Sequence, residues 1–578
     1  MGSREAKVTP VQWYSMVRKD REPLSGRSTD PRRTFLPPRP PSLTDQKWST
    51  GMLFITSTFI GSIMYVVGLK AQLRDTQKGS IAESEPMTPA TETDFRDALE
   101  KLKSMIPLEC ISWNRDDLLL HGRTQWSYHT PDSLPGAVLY PRSTEDVVQI
   151  VQVASKYKIP LVPYSGGTSL EGHFNAPSNK ISTNFEIDEN QLQPGYSFTV
   201  DFSKNMNKII ALHESDMDVV VQPGISYEQL NVELEKTAST QHLFFPVDPG
   251  PGAMIGGMIG TGCSGTNAVK YGTMRENVIN LTAVLPNGQV IKTRQRAKKS
   301  AAGPDLTKLF VGSEGTLGLV TEATLKLQPA LPTSVGVAHF SDVESATETV
   351  LEILKTGISL SCIELLDDMM MKAINKSLSF KKWEEKPSLF LKFTGTNAQI
   401  KADKDLTANI VKSHGGSKIK LATSDSEAAD IWNSRKIALW SSIDYVPGSR
   451  PWTTDVCVPI SKLPQLVSKT KKDLKDHGLT STIVGHVGDG NFHCIILFKD
   501  EDELAKTKEC VERMVVLAQD LDGTCTGEHG ARIGKKWALE RELGKGTIEV
   551  LRSIKQTIDP QNIMNPGKLI PEELDSSK

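Results

Sequence analysis

Residues 248–267 read DPGPGAMIGGMIGTGCSGTN, and seven of these twenty residues are glycine. Glycine has no side chain to pack and loses more conformational freedom on folding than other residues, so such a run suits a hydrophobic core poorly. Its advantage is that the backbone can approach a ligand closely. The run therefore predicts a backbone wall that follows a flat or extended ligand.

A second glycine-containing loop, PYSGGTS, occupies residues 163–169. The surrounding pattern predicts a strand at 137–141, a helix that follows Ser143 as its N-cap, and a strand at 158–163 that leads into the loop. Backbone N–H groups and three hydroxyl side chains suit an anion such as a diphosphate. The loop matches neither a P-loop nor the G-x-G-x-x-G motif of nicotinamide-binding folds.

A third stretch, VGSEGTLGLVT at residues 311–321, completes the pattern. Together the three stretches resemble the FAD-binding (PCMH-type) domain of the vanillyl-alcohol-oxidase type flavoproteins, and among them the D-lactate dehydrogenase (cytochrome) branch. The resemblance runs from about residue 95 to residue 571. It implies an α+β fold: a two-subdomain FAD-binding domain followed by a ferredoxin-like FAD-linked oxidase C-terminal domain that caps the flavin.

The predicted organisation combines composition with this resemblance. Residues 1–50 are basic and Pro-rich, without a sustained apolar period, and form a leader or targeting region with no folded core. We expect a membrane or sorting segment at 51–70, a linker at 71–93, the FAD-binding domain at 94–330 and the substrate domain at 331–571.

The resemblance implies that residues 165–169 hold the pyrophosphate, that 248–267 lines the path from adenine to the flavin ring, and that 314–320 closes the site. The predicted cofactor-binding residues are Ser165, Gly166, Gly167, Thr168, Ser169, Asp248, Pro249, Ala253, Ile255, Gly256, Gly257, Ser264, Gly265, Asn267, Tyr271, Glu314, Gly318, Val320 and Asn565. Some relatives attach the flavin covalently through a histidine after the paired glycines. Thr168 stands there, so we expect non-covalent FAD.

Two histidines flank an Asp489–Gly490 pair, which is a strong signal for a two-residue hairpin loop. That loop would place His486 directly opposite His493 on one face of the hairpin, close enough to share a metal ion. The pattern alone equally fits two hydrogen-bonded core histidines.

A carboxylate and a further imidazole follow in the stretch GTCTGEHG at 523–530. Two histidines and Glu528 would suit Zn²⁺ or Mn²⁺, with positions left for substrate. The resemblance favours this metal site over the core alternative, because related D-2-hydroxy acid dehydrogenases use a His/His/Glu set. His529, beside Glu528, is the predicted general base.

The resemblance implies that Arg435 anchors the substrate carboxylate, to which a guanidinium can donate two parallel hydrogen bonds. Pattern alone would also allow a surface helix arginine. Enzymes for 2-hydroxyglutarate tend to carry a lysine near the position of Thr453. Its absence favours a monocarboxylate substrate.

The resemblance implies oxidation of D-lactate to pyruvate by hydride transfer to flavin N5, with electrons passed to cytochrome c. Alternatives are another D-2-hydroxy acid such as glycolate or D-2-hydroxyglutarate, an oxygen-using oxidase, or a flavin-binding scaffold without turnover. The formal net charge of −2 argues against a nucleic-acid partner. Seven scattered cysteines without a C-x-x-C pair indicate neither a disulfide framework nor a cysteine-rich zinc site.

Residues 52–69, MLFITSTFIGSIMYVVGL, carry no charge and are just long enough to cross a bilayer. We expect one N-terminal membrane anchor and a mitochondrial location at the inner membrane facing the intermembrane space, although the acidic residues of 1–50 fit a presequence poorly. A buried helix or a removed signal core would also fit the segment.

Three positions depart from the family pattern. The stretch from Asn179 to Tyr196 is longer than usual, Pro304 replaces a common tyrosine, and Arg532 stands where the family has glycine. An arginine at a position that needs positive φ would strain the backbone beside the predicted base. The scaffold alternative rests on Arg532.

Overall fold

The computed structural model describes residues 90–571, apart from 125, 126, 128, 130, 132, 178–188, 238–241, 379–381, 532 and 533. The predicted leader, membrane segment and linker up to residue 89 lie outside this part, as do Arg532 and residues 179–188. Within the described residues, no helix is both long enough and apolar enough to cross a membrane.

The first subdomain is a small sheet covered by helices. Its strands are β1 (Ile111–Ser112), β2 (Ser133–Leu134), β3 (Ala137–Leu139), β4 (Leu161–Tyr164), β5 (Gln193–Pro194) and β6 (Phe198–Asp201), and its helices are α1 (Glu92–Lys103), α2 (Arg115–Gly122) and α3 (Thr144–Tyr157). The sheet order is β1-β3-β6-β4, with β2 and β5 paired separately. As predicted, the Ser143 hydroxyl caps α3 by accepting from the Asp146 N–H.

The second subdomain carries the long glycine run. Its strands are β7 (Ile209–His213), β8 (Asp218–Val221), β9 (Leu243–Phe244), β10 (Val278–Val284), β11 (Val290–Lys292), β12 (Leu319–Lys326) and β13 (Gln328–Pro329), and its helices are α4 (Tyr227–Thr237), α5 (Ile255–Thr261), α6 (Ala268–Tyr271), α7 (Met274–Asn277) and α8 (Leu306–Phe310). Five of these strands form an antiparallel sheet in the order β11-β10-β12-β8-β7, and β9 pairs with β13.

The remaining chain forms one eight-stranded antiparallel sheet with helices on both faces. The strands are β14 (Thr333–His339), β15 (Leu360–Leu366), β16 (Ser388–Thr394), β17 (Lys420–Leu421), β18 (Arg450–Thr453), β19 (Val456–Cys457), β20 (Thr480–Gly485) and β21 (Asn491–Phe498). The helices are α9 (Val343–Lys355), α10 (Asp368–Ser377), α11 (Asn397–Ser413), α12 (Asp425–Lys436), α13 (Ala438–Ile443), α14 (Leu463–Asp476), α15 (Glu501–Asp520), α16 (Lys536–Leu543) and α17 (Lys545–Ile558). The α+β prediction is confirmed.

The alternation of side chains along β15 shows how this sheet divides its two cores. Ile363 and Leu365 belong to one buried cluster, whereas Cys362 and Leu366 belong to the other, on the face covered by α12 and α13. Because neighbouring strand residues point to opposite faces, Glu364 shares the face of that second cluster.

The end of the chain returns to the first subdomain. The Leu161 N–H donates to the carbonyl of Ile563 at 2.7 Å, and the Asn565 N–H donates to the carbonyl of Leu161 at 2.8 Å. Ile563 and Met564 are fully buried in the core of the first sheet. The last part of the predicted 331–571 domain therefore packs against the first subdomain.

Candidate active site

A cavity of about 580 Å³ lies between the glycine runs and one face of the eight-stranded sheet. Most of the predicted residues meet there: Ser165, Gly166, Gly167, Thr168, Ser169, Asp248, Pro249, Ala253, Gly256, Gly257, Gly265, Glu314, Gly318, Val320, Arg435, His486, His493, Glu528, His529 and Asn565 line it. Residues more than 300 positions apart in the sequence thus share one cavity.

Four predicted cofactor residues lie away from the cavity lining. Ile255 is fully buried in the hydrophobic core of the second subdomain. Ser264 hydrogen-bonds to Glu528, and the Asn267 amide donates to a backbone carbonyl of its own loop. Tyr271 packs edge-on against a phenylalanine ring of β9. These side chains support the wall from behind.

The glycine-rich wall of the cavity is made of backbone. Gly256, Gly257 and Gly260 of α5 line the cavity, so one face of this short helix has no side chains. A Cβ on Gly166 would lie 2.5 Å from the Gly252 carbonyl oxygen, which shows how tightly the two glycine runs pack. Such a wall fits a flat, phosphate-bearing ligand such as FAD.

The histidine hairpin differs from the prediction. His493 pairs with Val484, not with His486, and the loop spans residues 486–490. The Asp489 N–H donates to the His486 carbonyl at 2.9 Å and Gly490 has a φ of 80°, so Asp489–Gly490 ends a turn and does not form its centre. The register differs by two residues, which leaves both imidazoles on the same face.

The two imidazoles meet the Glu528 carboxylate. Oε1 of Glu528 lies 3.2 Å from Nε2 of His486 and 3.1 Å from Nε2 of His493. The other oxygen, Oε2, accepts hydrogen bonds from the N–H and the hydroxyl of Ser264, at 3.1 and 2.6 Å. Ser264, in the long glycine run, thereby orients a carboxylate that belongs to the C-terminal half of the chain.

Outer hydrogen bonds fix the orientation of both rings. Nδ1 of His486 donates to Oε1 of Glu364 at 2.7 Å, and Nδ1 of His493 donates to the Thr454 carbonyl at 3.0 Å. Each Nε2 is then left to face inward, where it can serve as a metal ligand. The three ligand atoms lie within 4.8 Å of one another, so the set can hold a divalent ion.

Charge within this cluster is strongly polarised. Burial alone would raise the pKa of Glu528, but the neighbouring His486 and His493 outweigh burial and hold that pKa well below its usual range. Burial would lower the pKa of His486, whereas Glu364 and Glu528 together raise it well above the ordinary imidazole value. The Glu528 carboxylate is therefore ionised and paired with the two imidazoles that face it.

His529 stacks on His493, with ring centroids 4.8 Å apart and an interplanar angle of 15°. Burial lowers the pKa of His529 below the ordinary value, and the opposing charge of Asp455 compensates only in part. Nδ1 of this ring is buried and has no hydrogen-bond partner among the described residues. A neutral imidazole that lines the cavity can act as a base.

Asp455 holds the turn that carries Glu528 and His529. Its Oδ2 accepts the backbone N–H groups of both residues, at 2.9 and 2.8 Å, and the Thr526 hydroxyl at 2.8 Å. Burial would raise the pKa of Asp455, but His529, Lys535 and His493 lower it below its usual range. One buried carboxylate thus orders the whole turn.

Arg435 reaches the same cluster from α12. Its Nε and Nη2 donate to Oε2 of Glu364, at 2.8 and 2.7 Å. Nη1 makes no hydrogen bond to the described residues, so the cavity side of the guanidinium can take a substrate carboxylate. Thr453 also lines the cavity, and its buried hydroxyl has no partner among the described residues.

Sequence reasoning missed Glu364 and Asp455. Glu364 had a usable signal, because it is the only charged residue in the otherwise uncharged strand LSCIELL at 360–366. A charge inside such a strand needs a partner. Asp455 lies in the short connection between β18 and β19 and carried no comparable signal.

Comparison with known proteins identifies the two halves of this arrangement. A family model described as "FAD binding domain" matches residues 135–294, and one described as "FAD linked oxidases, C-terminal domain" matches residues 332–569. The 4-ethylphenol oxidase from Gulosibacter chungangensis has a similar fold: the TM-score is 0.67, the identity 18%, and the match covers 84% of this chain and 99% of that one. The chain therefore carries an FAD-binding domain of this fold.

Two curated relatives are much more similar in sequence. The mitochondrial D-lactate dehydrogenase [cytochrome] of Arabidopsis thaliana is 42% identical over 479 residues, which cover 82% of this chain and 80% of the relative. The mitochondrial D-lactate dehydrogenase [cytochrome] of Kluyveromyces lactis is 43% identical over 489 residues, which cover 82% of this chain and 81% of the relative. The chain belongs to the FAD-linked oxidoreductase family that includes the D-lactate dehydrogenases (cytochrome).

Proposed function

We propose that this protein is an FAD-dependent dehydrogenase that oxidises D-lactate to pyruvate and passes the electrons to cytochrome c. The proposal rests on the two sides of one cavity. On one side lie Arg435, the set of His486, His493 and Glu528, and the buried His529, and the other side is glycine-lined backbone. The names of the relatives supply the substrate and the acceptor.

The chain's own residues would bind and orient the hydroxy acid. Arg435 donates to its carboxylate, and Glu364 holds the guanidinium in place from behind. His529 takes the hydroxyl proton, because burial favours its neutral form. The loss of that proton and of the Cα hydride converts the alcohol to the ketone.

Two groups would supply the chemistry that side chains cannot. FAD, held without a covalent bond along the glycine wall, supplies the acceptor for the hydride and its two electrons. A divalent ion, Zn²⁺ or Mn²⁺, on His486, His493 and Glu528 supplies positive charge that makes the substrate hydroxyl more acidic.

The substrate end of the cavity favours a monocarboxylate. Thr453, Val484 and Ile495 line it with small or apolar side chains, and none of the three offers a cation to a second substrate carboxylate. Apart from histidines, the cationic side chains of the lining are Arg435 and its neighbour Lys436. This supports lactate over 2-hydroxyglutarate.

The relatives' names further support a mitochondrial location. The uncharged segment at 52–69 would anchor the protein in the inner membrane, with the catalytic domains in the intermembrane space, where cytochrome c could be reduced.

The test is an anaerobic titration of the yellow holoprotein with D-lactate, L-lactate and D-2-hydroxyglutarate, with and without a chelator. We expect D-lactate to bleach the flavin absorbance fastest and the chelator to block this. Bleaching that the chelator leaves unchanged would remove the metal from the proposal, and no bleaching by D-lactate would contradict the assigned substrate.

Turnover in air then identifies the electron acceptor. We expect D-lactate to reduce cytochrome c with little hydrogen peroxide formed. Peroxide in amounts equal to the D-lactate consumed would make the protein an oxidase. A yellow holoprotein that no hydroxy acid bleaches would instead favour a flavin-binding scaffold.

A further inference from the structure

Glu364 is a buried carboxylate directly behind the site, in contact with both Arg435 and His486. It is 1% exposed, and the other six residues of β15 carry no charge and are buried. Placing a carboxylate inside such a strand is costly unless it is fully paired. Its partners therefore explain what the residue does.

The two carboxylate oxygens serve different partners. Oε1 accepts from Nδ1 of His486 at 2.7 Å, while Oε2 accepts from Nε and Nη2 of Arg435 at 2.8 and 2.7 Å. One partner belongs to the proposed metal set and the other is the proposed carboxylate anchor. A single rigid group thus sets the orientation of both.

The sheet makes this arrangement possible. Leu366 pairs with Val484 and Leu365 pairs with Gly485, so the same register continued by one residue brings Glu364 level with His486. Arg435 reaches down from α12, which covers this face of the sheet. Glu364 is therefore the point where the hairpin and the covering helix meet.

We propose that Glu364 is a positioning residue shared by the metal-ligand set and the substrate-carboxylate anchor, so that one substitution weakens both binding events. The inference rests on the proposed function, because it assigns roles to His486 and Arg435. A carboxylate behind a metal-binding imidazole orients the ring and increases its basicity. The same carboxylate restricts the guanidinium to the orientation that faces the cavity, which lowers the ordering cost when substrate binds.

A similar buried carboxylate just after the same strand allows a purely structural role to be distinguished from positioning of the site. Asp367, one residue beyond β15, is also 1% exposed and also paired with a cation, Lys471, at 2.9 Å. It accepts the backbone N–H groups of Met370 and Ile483 and does not line the cavity. Asp367→Asn therefore changes a similar buried carboxylate outside the site.

The experiment compares wild type, Glu364→Gln and Asp367→Asn as FAD-loaded proteins. Zn²⁺ affinity is measured by chelator competition without pyruvate, and pyruvate affinity by the change in flavin absorbance at saturating Zn²⁺. We expect Glu364→Gln to weaken Zn²⁺ binding about 10- to 100-fold and pyruvate binding about tenfold. We expect Asp367→Asn to change neither affinity.

The outcomes separate the inference from the proposed function. If Glu364→Gln weakens the binding of only Zn²⁺ or only pyruvate, the inference that Glu364 positions both groups is wrong. The inference is also wrong if Asp367→Asn weakens both affinities as much as Glu364→Gln does. Wild-type protein that binds neither Zn²⁺ nor pyruvate contradicts the proposed function itself, and the inference with it. If Glu364→Gln does not fold, Glu364→Asp is used, because it keeps the charge but is too short to reach both partners. Wild-type affinities for both Zn²⁺ and pyruvate in Glu364→Asp would overturn the inference.

Discussion

The two walls of the cavity are built in opposite ways. The flavin-side wall consists largely of backbone from one contiguous run, 248–267, and the 163–169 loop that packs against it. The opposite wall consists of side chains from separate elements: Arg435 from α12, His486 from the loop before β21, His493 from β21, and Glu528 with His529 from the turn at 523–530. Glu364 of β15 lies behind this wall and hydrogen-bonds to Arg435 and His486.

This difference determines how each wall responds to substitution. A backbone wall tolerates a change of side chain only where a Cβ has room, so its failures are steric. A wall of polar side chains fails when one hydrogen-bond partner is lost, because the remaining partner stays buried and unpaired. Substitutions in the backbone wall should therefore release the cofactor. Substitutions in the side-chain wall should leave the cofactor bound and abolish turnover.

The largest expected effect is on the side-chain wall. His529→Ala should slow flavin reduction by D-lactate by about 10³-fold, because the base is gone, while FAD stays bound on the other wall. Stopped-flow reduction measures the rate, and the ratio of flavin to protein absorbance measures occupancy. Loss of FAD from this variant would contradict the separation of the two walls, and rapid reduction would remove His529 from the mechanism.

The matching change on the backbone wall is Gly265→Ala. Its Cβ would lie 2.6 Å from the backbone of Asp248 and 2.7 Å from its carboxylate, so we expect the free energy of unfolding to fall by about 1–3 kcal/mol and FAD to be partly lost. Gly250→Ala is the control, because a Cβ there meets nothing within 4 Å. FAD content and thermal unfolding measure both variants. Equal retention of FAD by both would show that the close packing of this run does not matter for binding.

The same difference explains how much the sequence could predict. Each glycine stretch is contiguous in the sequence, so its pattern was enough to predict the fold, the position of the cofactor wall and most of the residues that line it. The side-chain wall depends on register. The Asp489–Gly490 pair suggested the wrong loop length, and only the period of two along a strand kept His486 and His493 on one face. The partners of Glu364 lie 71 and 122 positions away, beyond the reach of any local pattern.

A smaller effect should follow from Asp455→Asn, which keeps the shape of the side chain and removes its charge. Asp455 accepts the N–H groups of Glu528 and His529, so the neutral amide should loosen the turn and lower the rate of flavin reduction about tenfold, equivalent to ~1.4 kcal/mol. FAD content should not change. Asp367→Asn serves again as the control. If both variants slow flavin reduction equally, Asp455 has only a structural role.

The smallest expected effect concerns substrate choice and changes neither wall's framework. Thr453→Lys would add a cation where the threonine hydroxyl lines the cavity without a partner among the described residues. An ammonium group attracts a second carboxylate and is repelled by the nearby Arg435 when no such carboxylate is present. We expect kcat/KM for D-2-hydroxyglutarate relative to D-lactate to rise severalfold, on the order of 1 kcal/mol. Thr453→Met has similar length without the charge, so an equal shift in that variant would attribute the effect to cavity shape. An unchanged ratio in Thr453→Lys would mean that substrate selection lies elsewhere on the side-chain wall, with the apolar Val484 and Ile495 the next positions to exchange.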